Sequence, residues 1–199
     1  SHMINAPAVF GLILTLAYLM GAIPFSVIIT RIKGIDLRTI GSGNFGATNV
    51  YRALGLKYAL LVFLLDVLKG AIPVWYSMTL FASPVIHILI GFTAIFGHTF
   101  SIFLGFKGGK GVATTAGVFL VLTPVPFGIT FGVVAVLILL TRIVSVGTLT
   151  GCVLLPILLF FFNESQLLVW SVSVAAFFIV LKHRGNIIRI IQGTENKLK

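Results

Sequence analysis

The sequence predicts an all-α, polytopic integral membrane protein of about seven transmembrane helices, with its N-terminus outside and its C-terminus cytoplasmic. Three observations carry that expectation. Of the 199 residues, 58% are hydrophobic and 9% charged, with a mean hydropathy of +1.15, so too little polar surface exists to cover a water-facing core. Apolar stretches of about 17 to 25 residues recur between clusters of charge, proline and glycine. Lys69 apart, the 14 Lys and Arg fall between spans on one side, at Arg142, or at the C-terminal end, which reads as a positive-inside pattern.

The first stretch, 5–30, is longer than the apolar core of a signal peptide and has no basic segment before it, so it reads as a retained span. Ser1-His2-Met3 ahead of it reads as an expression scar, leaving 4–199 as a single transmembrane domain. The second stretch, 57–81, contains Asp66 and Lys69; three residues apart on a helix, they most simply pair with each other, because unpaired charge within a span is costly. The third runs over 84–104. The fourth and fifth, 111–126 and 127–142, are short and meet at the uncharged turn Thr123-Pro124-Val125-Pro126; as a re-entrant pair they would reduce the count to five or six. The sixth and seventh cover 144–162 and 165–183. An odd count puts the two ends on opposite sides, as the Lys/Arg distribution requires. Gly128/Gly132 and Gly147/Gly151 are small-xxx-small pairs, expected to let helices pack closely. Cys152 stands alone in an apolar run, so no disulfide framework is expected.

A net charge of +10 does not indicate nucleic acid here, since the basic residues are short interruptions between spans rather than one face of a soluble fold. Membrane lipids and small phosphorylated molecules are the partners it suits. Nothing points to an obligate protein partner. No His, Cys, Asp or Glu group has metal-ligand spacing, so neither metal nor cofactor is expected.

Three polar runs break the apolar pattern. In GSGNFGATNVYR (41–52), Gly41, Gly43 and Gly46 satisfy G-x-G-x-x-G with Asp66 twenty residues on, yet Asp66 lies in an apolar stretch rather than in a βαβ unit, so the dinucleotide reading fails. What remains is an anion-binding loop: backbone N–H groups converge, and Ser42, Asn44, Thr48, Asn49 and Arg52 add donors. A helix beginning near Ala47 would put Thr48, Asn49 and Arg52 on one face. The second run, FKGGKG (106–111), lacks the Walker spacing, but two lysines flank a Gly-Gly turn at a helix start, where dipole, amides and charge combine into a phosphate cradle. The third, KHRGNIIR (182–189), holds His183 as the titratable group and Asn186 one turn on. Asn163-Glu164-Ser165 matches a glycosylation sequon, a weak pattern given little weight.

In order and spacing, GSGNFGATNVYRALG, LDVLKGAIPV, FGHTFSIFLGFKGGKGVATTAGV, RIVS and KHRGNIIRIIQGTE resemble the signature segments of the bacterial membrane acyl-phosphate:glycerol-3-phosphate acyltransferase family, over about 21–195. The resemblance implies an inner-membrane enzyme of phospholipid biosynthesis. It would move a fatty acyl group from acyl phosphate to the 1-hydroxyl of glycerol 3-phosphate, giving lysophosphatidic acid and inorganic phosphate at the cytoplasmic face. Carried over by residue, it implies Ser42, Gly43, Asn44, Thr48, Asn49 and Arg52 from the first run; Gly108, Gly109, Lys110 and Thr114 from the second; Ser145 from RIVS; and His183, Arg184 and Asn186 from the last. Lys110, His183 and Asn186 would be catalytic and the others bind substrate. No His-x4-Asp motif is present: His98 and His183 are followed five positions on by Phe103 and Ile188.

An acyl phosphate carries its own leaving group, so the enzyme chiefly has to bring two mutually repelling anions together. Arg52 and Lys110 would neutralise phosphate charge, and Asn186 and loop amides would face the developing oxyanion. Asp36 is the only carboxylate expected in the loops, which leaves His183 or a substrate phosphate oxygen as the base. Two alternatives remain: a small-anion transporter using the same loops, and acyl transfer from a thioester donor.

Overall fold

A computed structural model describes residues 6–198; the segment read as an expression scar lies outside them. Every regular element among the described residues is helical. The chain divides into two compact units, Ser1–Val121 and Leu122–Lys199.

In unit 1 the predicted first span is one apolar segment, Pro7–Ile32, but it is broken into α1 (Ala6–Ala22) and α2 (Phe25–Ile32). Pro24 explains the break: it offers no N–H, and its ring would collide with the carbonyl four residues back in a continuous helix. Carbonyls freed at such a break cannot be left bare in lipid. Two side chains answer them: the Ser101 hydroxyl donates to the Ala22 carbonyl at 2.6 Å, and Lys69 Nζ donates to that of Ile23 at 3.0 Å. Lys69 also meets Asp66 at 2.8 Å, each side chain 3% exposed, as the sequence predicts.

α3 (Ala47–Leu54) is a short helix after the first glycine-rich run, α4 (Leu56–Leu80) is the second predicted span, and α5 (Pro84–Thr99) the third. α5 stops five residues earlier than expected and gives way to a 3-10 turn at Ile102–Leu104. Glycines let the backbones touch: a Cβ on Gly21 would overlap the Ala94 carbonyl of α5, and one on Gly117 of the next helix would overlap the Val67 carbonyl of α4. α6 (Val112–Leu122) has 11 residues. At 1.5 Å per residue its helical part covers about half of a 30 Å hydrocarbon layer, which makes it shorter than the span predicted over 111–126.

Unit 2 holds α7 (Pro124–Thr141), α8 (Val144–Phe161), α9 (Gln166–Lys182) and α10 (Arg184–Ile191). The expected four-residue turn at 123–126 shrinks to Thr123, because Pro124 and Pro126 are accommodated in the first turn of α7, where no intrahelical donor is required. Of the two small-residue pairs, Gly147 and Gly151 pack α8 against Val134 and Ile138 of α7. Gly128 and Gly132 face open space with nothing within 4 Å, so the packing role expected for them is not seen among the described residues. The Asn-Glu-Ser sequence is a turn and a cap: Asn163 adopts φ 54°, and Ser165 accepts from the Leu168 amide at the start of α9. α9 and α10 meet at 63°.

Among the described residues, five helical segments are long and apolar enough to cross a membrane, or six if the bent α9–α10 pair is one span. Exposure is inverted relative to a water-soluble fold. Trp75, Phe96, Leu139, Phe160 and Trp170 are exposed, while Asp66, Lys69, His98 and His183 are buried.

Candidate anion-binding and acyl-transfer residues

The first glycine-rich run is a turn stapled to α3. Gly43 takes φ +66°, a region that favours glycine, and its amide donates to the Ile40 carbonyl at 2.8 Å. Asn49 lies buried beneath it and donates through Nδ2 to the carbonyls of Leu37 (3.2 Å) and Ile40 (2.8 Å). Its Oδ1 accepts from Arg52 Nη1 at 3.4 Å. Both Nδ2 hydrogens of Asn49 are thus engaged by backbone, so the residue holds the loop and steers Arg52. Gly41 sits against Asn49 Oδ1 and the Arg52 side chain. Ser42 is exposed at the turn, and Asn44 and Thr48 are half-buried beside the α3 N-terminus. Gly46 caps that terminus without a side-chain hydrogen bond, so the first amides of α3 are presented by the backbone alone.

The second run folds under α5. The Gly109 amide donates to the His98 carbonyl at 3.3 Å. A Cβ on Gly108 would strike the His98 and Thr99 carbonyls, and one on Gly109 would strike the His98 imidazole. His98 in turn places Nδ1 3.9 Å from Asp66 Oδ1. Thus the charge pair inside α4, the histidine of α5 and the Gly-Gly turn form one continuous stack supporting Lys110, which is half-buried. Gly111, at φ +81°, leads into α6 beside the Thr99 and Thr115 hydroxyls. Thr114 is fully buried, and the hydroxyls of Thr99, Thr114 and Thr115 have no hydrogen-bond partner among the described residues. Lys107, the other lysine of the turn, lines a cavity with Arg31 and Arg38 in which Lys110 takes no part.

In unit 2, His183 occupies the α9–α10 bend, buried, with Nδ1 2.8 Å from the Ile179 carbonyl. A carbonyl only accepts, so Nδ1 carries the hydrogen and the neutral ring keeps its lone pair on Nε2. Asn186 Nδ2 donates to Glu195 Oε1 at 2.6 Å, Ser145 donates to the same oxygen at 3.0 Å, and Arg189 Nε donates to Oε2 at 2.7 Å. Burial alone would raise the Glu195 pKa, but these three donors together hold it below the ordinary carboxylate value. The carboxylate, 4% exposed, was absent from the expected site set. It ties the RIVS segment to α10, and the Leu198 amide closes the same tail onto the Arg142 carbonyl at 2.7 Å. Arg184 is exposed at the start of α10.

Each unit is thus a helical body of apolar segments long enough for a membrane, with its polar groups gathered in the loops and helix ends. The family model described as glycerol-3-phosphate acyltransferase matches residues 11–193. Relatives of that name from Trichlorobacter lovleyi and Fusobacterium nucleatum are each 44% identical to this chain. The match covers 92% of this chain and 94% of the first relative, and 96% and 98% for the second. Crystal structures of PlsY (YgiH), an integral membrane glycerol 3-phosphate acyltransferase, are similar throughout. The glycerol 3-phosphate form has a TM-score of 0.91 at 38% identity, covering 96% of each chain. The lysophosphatidic acid form has a TM-score of 0.88 at 37% identity, covering 96% of this chain and 95% of that one. The chain belongs to the glycerol-3-phosphate acyltransferase family.

Proposed function

We propose that this chain transfers a fatty acyl group from acyl phosphate to the 1-hydroxyl of glycerol 3-phosphate, releasing lysophosphatidic acid and inorganic phosphate at the cytoplasmic face of a bacterial inner membrane. The observation that carries it is the near full-length likeness to an acyltransferase solved in glycerol 3-phosphate and lysophosphatidic acid forms. The hydroxyl oxygen attacks the acyl carbon, its proton passes to a base, and the carbon–oxygen bond to phosphate breaks with the electron pair leaving on phosphate. Arg52, steered by Asn49, and Lys110, set on the Gly108-Gly109 turn, offset the charge of the two phosphates. Ser42, Gly43, Asn44 and Thr48 offer donors around the α3 N-terminus, and Thr114 the same in the first turn of α6. In unit 2 the Nδ1–H tautomer suits His183 to accept a proton at Nε2. Glu195, held ionised by three donors, orients Asn186 and Ser145 rather than acting as the base; Arg184 adds positive charge.

A donor comparison tests this. Purified protein with glycerol 3-phosphate should form lysophosphatidic acid and phosphate from acyl phosphate. Product from acyl-CoA alone would move the chain to a thioester mechanism, and vesicle uptake of anions without product would favour transport.

Arg52 and Lys110 should fail differently. Arg52→Ala should raise KM for glycerol 3-phosphate, and Arg52→Lys should already be harmful, since an ammonium cannot grip phosphate bidentately. Lys110→Ala should instead lower kcat by about 10²-fold or more. Wild-type kinetics in a folded Lys110→Ala protein would sink its catalytic role.

Topology follows from the same proposal. Cysteines at Ser83, Val125 and Glu164 should label from outside the cell, and those at Gly43 and Gly185 should not. Val125 is chosen because it is 60% exposed whereas its neighbour Thr123 is 1% exposed. Outside labelling at Gly43 would reverse the orientation.

A further inference from the structure

Beyond the residues proposed for acyl transfer, unit 1 carries a separate cavity of about 410 Å³. It opens between the end of α2, the 3-10 turn at Leu37–Thr39 and the loop after α5, with Arg31, Arg38 and Lys107 in its lining and Asp36 as the one carboxylate. Phe45 and Phe103 supply apolar wall. The size is within the range of small-molecule sites.

Its charge is unbalanced. Arg38 grips Asp36 with Nε 3.0 Å from Oδ1 and Nη2 2.6 Å from Oδ2. Those hydrogen bonds lower the Asp36 pKa to about 2, so the carboxylate is ionised at neutral pH and its charge is matched by Arg38. The side chains of Arg31 and Lys107 make no hydrogen bond or salt bridge among the described residues, although the Arg31 charge also helps to hold Asp36 ionised. The cavity therefore carries three cations against one carboxylate, two of them, Arg31 and Lys107, on different elements and outside any ion pair among the described residues. Apolar side chains at and next to this lining are exposed: Phe103 of the wall is 58% exposed, and Ile32 and Phe106, the chain neighbours of Arg31 and Lys107, are 76% and 61% exposed. A soluble anion needs the cations but not this rim; a phospholipid uses both, with phosphate on Arg31 and Lys107 and acyl chains along Ile32, Phe103 and Phe106.

We propose that this cavity binds the phosphate headgroup of an anionic membrane phospholipid, at a site separate from the residues proposed for acyl transfer. Its wall touches the first glycine-rich run through Phe45, whose carbonyl accepts from the Ser26 hydroxyl at 2.6 Å. Occupancy would therefore brace the loop that carries Ser42 and Asn44.

Native mass spectrometry of the purified chain in non-ionic detergent tests the site, with dioleoyl phosphatidylglycerol, dioleoyl phosphatidylcholine and inorganic phosphate as probes. Phosphatidylglycerol should be retained in preference to phosphatidylcholine, and equimolar inorganic phosphate should not displace it. Arg31→Gln with Lys107→Gln should weaken retention about tenfold or more. Asp36→Asn should strengthen it, because the amide can still cap the turn while Arg38 is released toward the phosphate. Equal retention of the two lipids, displacement by inorganic phosphate, or a folded double variant that binds like wild type would each overturn the proposal. If the double variant does not fold, Asp36→Asn decides alone, and unchanged or weaker retention refutes the site.

Discussion

Gly109→Ala is expected to cut turnover by about 10²-fold or more and to be partly rescued by shrinking His98, whereas Gly108→Ala should resist rescue by any side-chain change. Both glycines sit under α5, but different atoms meet them. The methyl at position 109 would enter the His98 ring, while the one at 108 would enter the backbone carbonyls of His98 and Thr99. A ring can be removed; a carbonyl cannot. Displacing the turn by even 1 Å misplaces Lys110, and misplacement of that size costs about 10²-fold. The measurement is kcat in Gly109→Ala, Gly109→Ala/His98→Ala, Gly108→Ala and Gly108→Ala/His98→Ala, each checked for folding. Equal rescue at both positions, or at neither, would contradict the geometry.

Glu195→Ala should destabilise the protein by about 3 kcal/mol, because a nearly buried carboxylate is removed while Arg189, Asn186 and Ser145 lose their common acceptor. The melting midpoint should fall by on the order of 5–10 °C. Glu195→Gln should cost less: its amide oxygen can still accept from Ser145 and Asn186, but its NH2 would face the Arg189 guanidinium. The pH dependence has a definite sign. The folded pKa lies below the ordinary value of 4.5, so the stabilisation is fully present above 4.5. It is lost as pH falls from there through the depressed folded value. Acid sensitivity in that window should diminish in Glu195→Gln; an identical acid profile would mean the carboxylate's bonds contribute nothing to stability.

Sequence reasoning located the apolar segments well, because twenty apolar residues in lipid leave the backbone little choice but helix. It placed the Asp66–Lys69 pair for the same reason, the partners being one helical turn apart. It did less well where geometry depends on distant chain. The break at Pro24 is hidden by continuous apolarity, although the proline itself was visible. Asn49 reads as a ligand from its neighbours, yet its amide is claimed by carbonyls of Leu37 and Ile40, which only the fold of the preceding turn brings beneath it. Glu195 is 50 residues from Ser145, and no spacing rule links a C-terminal glutamate to a serine at a helix start. His98 has no ligand-spaced partner in the sequence, and its contacts with Asp66 and with the Gly109 backbone come from other elements, so they leave no mark in residue identity beyond the glycine.

The charge pair of α4 bears on how the chain enters the bilayer in the first place. An isolated Asp or Lys at the centre of an inserting helix costs about 3 kcal/mol, yet these two residues are joined as soon as one turn of helix has formed. Lys69 also has its second acceptor, the Ile23 carbonyl, upstream in the chain and synthesised before it. The helix need not await a later segment to become admissible to lipid. The Ala22 carbonyl, by contrast, must wait, since its donor, Ser101, emerges from the ribosome about eighty residues afterwards.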